Sequence, residues 1–379
     1  MISEGILNTA SFDSRNAARK TAGGILEEPK QQNFRNDHRE RLGGIVPGRG
    51  DLAELLGLDD ISPIKDILHS ALLDFVVEVA SSPGKRIRGQ LVKLSFRLVS
   101  DSPPSVLQIK QCRWCADVVE LIHAGSLIID DIEDGSCTRR GRPALHTRVG
   151  VPLALNAGNW LYFWGLELLR KTQLPDEQVF HLYEHSHRTL LRAHFGQAVD
   201  LSARIGTLSQ CRVAAACLAS MKLKTGALMG LATFLGGTIA GASERVLSSL
   251  DEFGQELGVA LQMFNDLGNV IGKCDPSKRY EDLELYRPSW VWACAADSST
   301  PRHYKRFCAA VARLPDAEEV EVWMQEHNLM QRVRASAHHH LDAAFHRLEE
   351  RLNSHKAHWS KCAFNELRQL GEEISATYG

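Results

Sequence analysis

The sequence lacks an excess of either charge: among 379 residues, 44 Lys and Arg stand against 46 Asp and Glu, for a formal charge of −2. That balance argues against a nucleic-acid-binding surface, which would show basic clustering. Alternating strand patterns are nearly absent, as are internal repeats and low-complexity tracts, so sheet-based and solenoid architectures are not expected. The first 30 residues have no apolar core and carry Glu4, Asp13, Glu27 and Glu28, unlike a secretory leader. Nine scattered cysteines, an odd number, then predict reduced thiols in a cytoplasmic protein. Cys112 and Cys115 form a CxxC, but no second pair or His cluster completes a zinc site, so both are expected to be packed helix residues. Long apolar runs are missing with one exception. Residues 225–243 carry no charge, yet five glycines and three threonines keep their hydropathy low for a membrane span. The segment predicts a buried helix pair, and no transmembrane segment is expected.

What is present is ordinary for a folded soluble chain, with 44% apolar and 24% charged residues. A chain of this size buries roughly 75% of the surface its unfolded form exposes and needs no disulfide staples. Residues 1–50 are polar, without sustained apolar period, and predict a disordered tail. From Asp51 onward apolar residues recur every three or four positions, as in Leu52, Leu55, Leu56, then Ile67, Leu68, Leu72, Leu73 and Val76. The same period runs through 105–134, 152–173, 176–203, 208–228, 245–273, 303–313 and 331–352. One all-α domain of ten or more helices over 51–379 is the expected architecture.

The most informative stretch is 120–150. On a helix His123, Leu127, Asp130 and Asp134 share one face, because their spacings are four, three and four. Asp130 and Asp134 then project carboxylates about 6 Å apart along the axis. Like charges at that spacing cost a few tenths of a kcal/mol unless neutralised. Leu127, Ile128 and Ile129 are apolar, so the acids end a buried helix rather than decorate a washed surface. A hard dication with oxygen ligands would offset the repulsion, and Mg²⁺ typically shares itself between one or two carboxylates and substrate phosphates. Arg139 and Arg140 follow closely and suit the same phosphates.

These residues resemble the first aspartate-rich motif of the trans-isoprenyl diphosphate synthases, the polyprenyl synthetase family that includes geranylgeranyl diphosphate synthases. The motif DDxxD-x4-RR-G-x-P stands here as Asp130-Asp131-Ile132-Glu133-Asp134 and Arg139-Arg140-Gly141-Arg142-Pro143. Further segments follow in the family's order over about residues 75–295: Gly84-Lys85-Arg86-Ile87-Arg88, Gly196-Gln197-Ala198-Val199-Asp200, Lys224-Thr225, Gln262, and Lys278, Asp282, Arg287 with Ser289-Trp290, where Arg287 replaces a lysine. The resemblance implies a single helical bundle of the isoprenoid synthase type with a central cavity. It also implies a Mg²⁺-dependent prenyltransferase, with three ions per site, that joins isopentenyl diphosphate to an allylic prenyl diphosphate as a homodimer. Lys85, Arg88, His123 and Arg140 would hold the homoallylic diphosphate. Arg139, Lys224, Thr225, Gln262, Asn269, Lys278 and Arg287 would hold the allylic one. Asp130, Asp134, Asn265 and Asp266 would bind metal, and the catalytic set would be Asp130, Asp131, Asp134, Arg139, Lys224, Gln262, Asp266 and Lys278. Gly125 and Ser126 stand where bulky residues floor the product tunnel of short-chain members. Both are small, so the resemblance implies a product of twenty carbons or more.

The second acidic motif departs from the pattern. It reads Asn265-Asp266-Leu267-Gly268-Asn269, and Asn265 keeps an oxygen ligand but removes a negative charge. Against the N-D-x-x-S-x-x-x-E motif of class I terpene cyclases, Asn269 stands at the Ser position and Lys273 where Glu is required. A terpene cyclase and a non-catalytic regulatory subunit therefore stay open beside elongation. His338, His339 and His340 diverge by about 100° each on a helix and cannot share one metal. Trp290 and Trp292 are expected to anchor the core.

Overall fold

The structure, a computed structural model, describes residues 46–82, 84–273 and 278–378. Most of the expected tail lies outside the described residues, although Arg49 and Gly50, counted in that tail, already belong to helix α1 (Arg49–Leu56). The described part is almost entirely helical. Its long elements are α2 (Ile87–Val99), α3 (Val106–Glu133), α4 (Val151–Glu167), α5 (Asp176–Ser202), α6 (Gln210–Met221), α7 (Ala227–Ile239) and α8 (Glu244–Ile271). They are followed by α9 (Trp290–Asp297), α10 (Leu329–Ser354) and α11 (Lys361–Tyr378). Two strands of two residues, β1 (Thr138–Arg139) and β2 (Arg142–Pro143), pair antiparallel in the loop after α3. That hairpin, too short for any alternation to register, turns back the Arg139-Arg140 segment.

Helices α3 and α8 are 28 residues each and carry the two acidic motifs at their C-terminal ends. α3 begins with a reciprocal cap. Ser105 Oγ accepts from the Gln108 N–H at 3.2 Å, and the Ser105 N–H donates to Gln108 Oε1 at 3.0 Å. The uncharged segment 225–243 is buried as expected but forms one helix after a π-turn rather than a helix pair, and eleven of the thirteen residues of α7 are buried. Among the described residues no helix is long and apolar enough to cross a membrane.

α7 lies against α8 through paired glycines. A Cβ on Gly258 would sit 2.7 Å from Gly226 Cα, and one on Gly254 would sit 2.5 Å from the Met229 carbonyl. Gly226 and Gly230 thus face Gly254 and Gly258, each pair one turn apart, and the backbones meet without intervening side chains. Thr233 Oγ1 crosses the seam to the Leu250 carbonyl at 2.6 Å. Just before α7 the chain widens into a π-turn, Lys222–Gly226, of the kind often found at functional sites. The glycine seam presses that turn, with Lys224 and Thr225, onto α8.

The remaining expectations sort cleanly. The eight described cysteines are free thiols, and burial pushes Cys112 up to about 12, so it is inert. His338 meets the edge of Phe264, His340 reaches Glu256 at 2.9 Å and His339 is exposed, so the three point apart. Trp292 is fully buried among Tyr286, Tyr304 and Phe307. The seam yields a stability prediction. Gly258→Ala should cost about 1–3 kcal/mol by overpacking, read as a lower denaturation midpoint. Gly50→Ala, with open space around it, should not destabilise.

Candidate active site

The last turn of α3 holds Asp130 and Asp131, and Asp134 caps the helix. The helix dipole places roughly half a negative charge at this end, so three carboxylates there are unfavourable until cations arrive. Three arrive from different elements. Lys224 of the π-turn reaches Asp130 at 3.1 Å and Asp200 of α5 at 2.7 Å. Arg139 of β1 donates its Nε to Asp131 at 2.8 Å and approaches Asp130 at 3.4 Å. Arg287, just before α9, donates Nη2 to Asp134 at 2.6 Å. Gln197 of α5 adds its amide to Asp130 at 3.1 Å and to Glu133 at 2.6 Å. Burial opposes ionisation of Asp130, but Lys224 and Arg139 outweigh it and hold the carboxyl below its ordinary value. Burial likewise opposes the Lys224 charge, and Asp130 and Asp200 reverse that, leaving the ammonium above its ordinary value. Asp131 moves the other way: burial raises it and Arg139 only partly compensates.

The facing end of α8 is built differently. Thr225 Oγ1 donates to Gln262 Oε1 at 2.9 Å, and Gln262 Nε2 donates to Asp266 Oδ1 at 2.8 Å. Asp266 Oδ2 accepts the Trp290 N–H at 2.7 Å. The residue is 2% exposed, and burial, reinforced by nearby Asp282, pushes its carboxyl well above the usual range. Asp266, expected to bind metal, has one oxygen bonded within α8 and the other joining α8 to the start of α9. Asn265 is half-buried on the neighbouring face. Asn269 Nδ2 donates to the Lys278 carbonyl at 2.9 Å, while its buried Oδ1 has no hydrogen-bond partner among the described residues. Lys278 Nζ reaches Ser136 Oγ at 3.1 Å, in the loop that follows Asp134.

A cavity of about 480 Å³ opens beside this knot, between residues 78–82 and 84–88, α3 and the segment 139–148. Lys85, Arg88, His123 and Arg140 all line it, and Asp131 and Arg139 are shared with the acidic helix end. Its wall holds seven Lys and Arg side chains against four carboxylates. All four acids are already engaged: Glu78 by Arg148 at 2.9 Å, Asp117 by Arg86 at 3.0 Å, Glu120 by the Gly89 N–H at 2.8 Å and Asp131 by Arg139 at 2.8 Å. The result is a concave, cation-rich surface suited to a polyanion such as a diphosphate. Burial, then Arg88, Arg140 and Arg139, hold His123 well below the ordinary imidazole value. It is a neutral hydrogen-bonding group rather than another charge. Lys85 also bonds Thr377 at the end of α11, and Lys273 bonds the Ala376 carbonyl at 2.8 Å, so the end of α11 contacts the rim of the pocket.

Mg²⁺ binding can be tested against these donors. Among the described residues no three His, Cys, Asp or Glu side chains gather as a metal cage. Mg²⁺ does not need one, since it keeps waters and completes its shell with phosphate oxygens. Asp130 and Asp134, four residues apart at one helix end, fit that requirement.

The small residues ahead of Asp130 separate. A Cβ on Gly125 would lie 2.7 Å from the Gly158 carbonyl and 3.1 Å from Leu161 Cβ. Gly125 therefore lets α3 touch α4. Ser126, half-buried with its hydroxyl donated to the His123 carbonyl at 2.8 Å, is on another face. Gln197 and Asp200 were visible in sequence only as part of a motif. Their contacts with Asp130 and Lys224 place both inside the site.

Comparison with known proteins agrees with this geometry. Residues 69–327 match the family model described as polyprenyl synthetase. The geranylgeranyl pyrophosphate synthase janG of Penicillium janthinellum is 33% identical over 200 residues, 53% of this chain and 50% of that protein. The geranylgeranyl diphosphate synthase of Sulfolobus acidocaldarius is 28% identical over 218 residues, 55% of this chain and 63% of that protein. The chain thus spans between half and two thirds of those relatives' lengths. The fold is similar to that of a geranylgeranyl pyrophosphate synthase structure, with a TM-score of 0.71 at 18% identity, covering 93% of this chain and all of the other. It is also similar to the Corynebacterium glutamicum geranylgeranyl pyrophosphate synthase complexed with isoprenyl diphosphate and magnesium. That match has a TM-score of 0.68 at 22% identity and covers 90% and 98% of the two chains.

The electrostatics of His123 set a measurable sign. Its folded-state pKa is depressed, so the unfolded chain binds this proton more readily. The His123 contribution to stability is intact above about pH 6.5 and is lost as pH falls below it. In a histidine NMR titration the His123 imidazole should stay neutral at pH values below the ordinary imidazole value.

Proposed function

The chain belongs to the polyprenyl synthetase family, and on that premise we propose that it condenses isopentenyl diphosphate with an allylic prenyl diphosphate to a longer trans-polyprenyl diphosphate. The single observation that carries the proposal is the junction at Asp131 and Arg139, where the cationic cavity meets the acidic end of α3. Two diphosphates can then be held side by side by different chemistries. Lys85, Arg88, His123 and Arg140 hold the homoallylic one. Arg139, Lys224, Lys278 and Arg287 bring positive charge to the allylic one, with Thr225, Gln262 and Asn269 closing its far side. Mg²⁺ bound by Asp130 and Asp134 would supply Lewis-acid stabilisation of the departing diphosphate. The allylic C–O bond breaks with both electrons going to the diphosphate, whose growing charge Lys224 and Arg139 already face. The double bond of isopentenyl diphosphate attacks the allylic cation, and the freed diphosphate accepts the proton then lost. The apolar residues Leu127 and Ile128 in the cavity wall help keep water from trapping the cation.

Several finer features belong to the same proposal: three metal ions, cytoplasmic residence and a homodimer. Support for the homodimer comes from exposed apolar stripes on α4 (Val151, Leu155, Phe163) and α5 (Phe180, Leu191, Phe195), which a second copy would cover. The product is twenty carbons or more, with Ser126 and not Gly125 as the chain-length position. A second reading, as a cyclase or a regulatory subunit, draws on the neutral Asn265 and the internally bonded Asp266. Against a cyclase stands the intact cationic cavity, since ionising one diphosphate requires no second pocket.

Incubating purified protein with Mg²⁺, labelled isopentenyl diphosphate and each allylic diphosphate separates these readings. A diphosphate of twenty or more carbons is expected; a diphosphate-free terpene, or no turnover until a partner is added, would replace the proposal. Asp130→Ala should lower Mg²⁺-dependent turnover by at least about 10²-fold. Ser126→Phe should shorten the product, whereas Gly125→Phe should reduce stability through its clash with α4.

A further inference from the structure

Asp134 is held differently from Asp130. Arg287 forks onto both carboxylate oxygens, Nη2 to Oδ1 at 2.6 Å and Nη1 to Oδ2 at 3.3 Å. The two side chains are 16% and 11% exposed, so little water screens the pair. Asp130, by contrast, has the point contact of an ammonium at 3.1 Å and a longer guanidinium contact at 3.4 Å. Arg287 is also anchored from behind. Its N–H donates to the Asp282 carbonyl at 2.9 Å, and the carbonyl of Tyr286 accepts the Ile205 N–H at 3.0 Å. A divalent cation binding Asp134 needs the lone pairs this fork occupies, and the two positive charges repel.

We infer that Arg287 competes with the divalent cation for Asp134 and so sets how much metal this protein requires. The inference rests on the proposed metal site. Asp200 and Asp282 also act on the Arg287 charge, so it keeps opposite charge nearby when it leaves Asp134. The guanidinium then stays beside the diphosphate it is proposed to hold. Where the resembled motif has lysine, a single ammonium could not fork, and the carboxylate would be easier to take over. The substitution of arginine for lysine keeps the charge and changes the competition.

Mn²⁺ binding to the full chain, followed by electron paramagnetic resonance of the free ion without any diphosphate, tests this directly. Arg287→Lys should lower the half-saturating Mn²⁺ concentration by roughly two- to tenfold, the factor one net hydrogen bond supplies. In the Arg287→Lys, Asp134→Asn double variant that gain should vanish, which a merely structural role of Arg287 would not produce. Arg287→Gln gives the same readout if the lysine variant melts early, and should lower the midpoint further. If wild type binds Mn²⁺ and Asp134→Asn weakens it, but both Arg287 variants leave the midpoint unchanged or higher, the competition is overturned and the metal site stands. If no variant binds Mn²⁺, both fall.

Discussion

Negative charge concentrated at the C-terminal end of a buried helix is the constraint on which this structure turns. Three aspartates and the dipole of α3 point the same way, in surroundings that penalise ionisation. Such an end persists only when positive groups are delivered to it from elsewhere in the chain. Lys224, Arg139 and Arg287 come from a π-turn, a two-residue strand and a loop after α8, so the site joins segments up to 153 residues apart. The same cations are the ones proposed to receive diphosphate once metal takes the carboxylates. Stability without ligand and chemistry with it draw on a single set of charges.

Distances in the site depend on helices that approach without side chains between them. The Gly226/Gly258 and Gly230/Gly254 contacts fix α7 against α8, which brings Thr225 to Gln262 and through it to Asp266. The Gly125/Gly158 contact does the same for α3 and α4. Backbone contact leaves little room to slide, so positions set at these seams carry to the helix ends.

Much of this was legible in sequence. The four-residue step from Asp130 to Asp134 fixes their shared face, and the four residues assigned to the homoallylic diphosphate do line one cavity. Spacing could not reveal what backbone group faces a side chain. Asp266 lies in a metal-like pattern, yet the Trp290 N–H, 24 residues on, uses one of its oxygens. Nor does a small residue disclose its purpose. Gly125 fits an open tunnel and a tight helix contact equally well until α4 is placed. The charge equivalence of Arg287 and lysine likewise concealed a difference in how many oxygens each can occupy.

The surplus of cations lining the cavity cannot tell one diphosphate from another. Under the proposed chemistry, each cycle frees inorganic pyrophosphate next to a surface built to attract it. That by-product should contend with fresh substrate for the same guanidinium groups, so sustained flux would depend on its hydrolysis elsewhere in the cell.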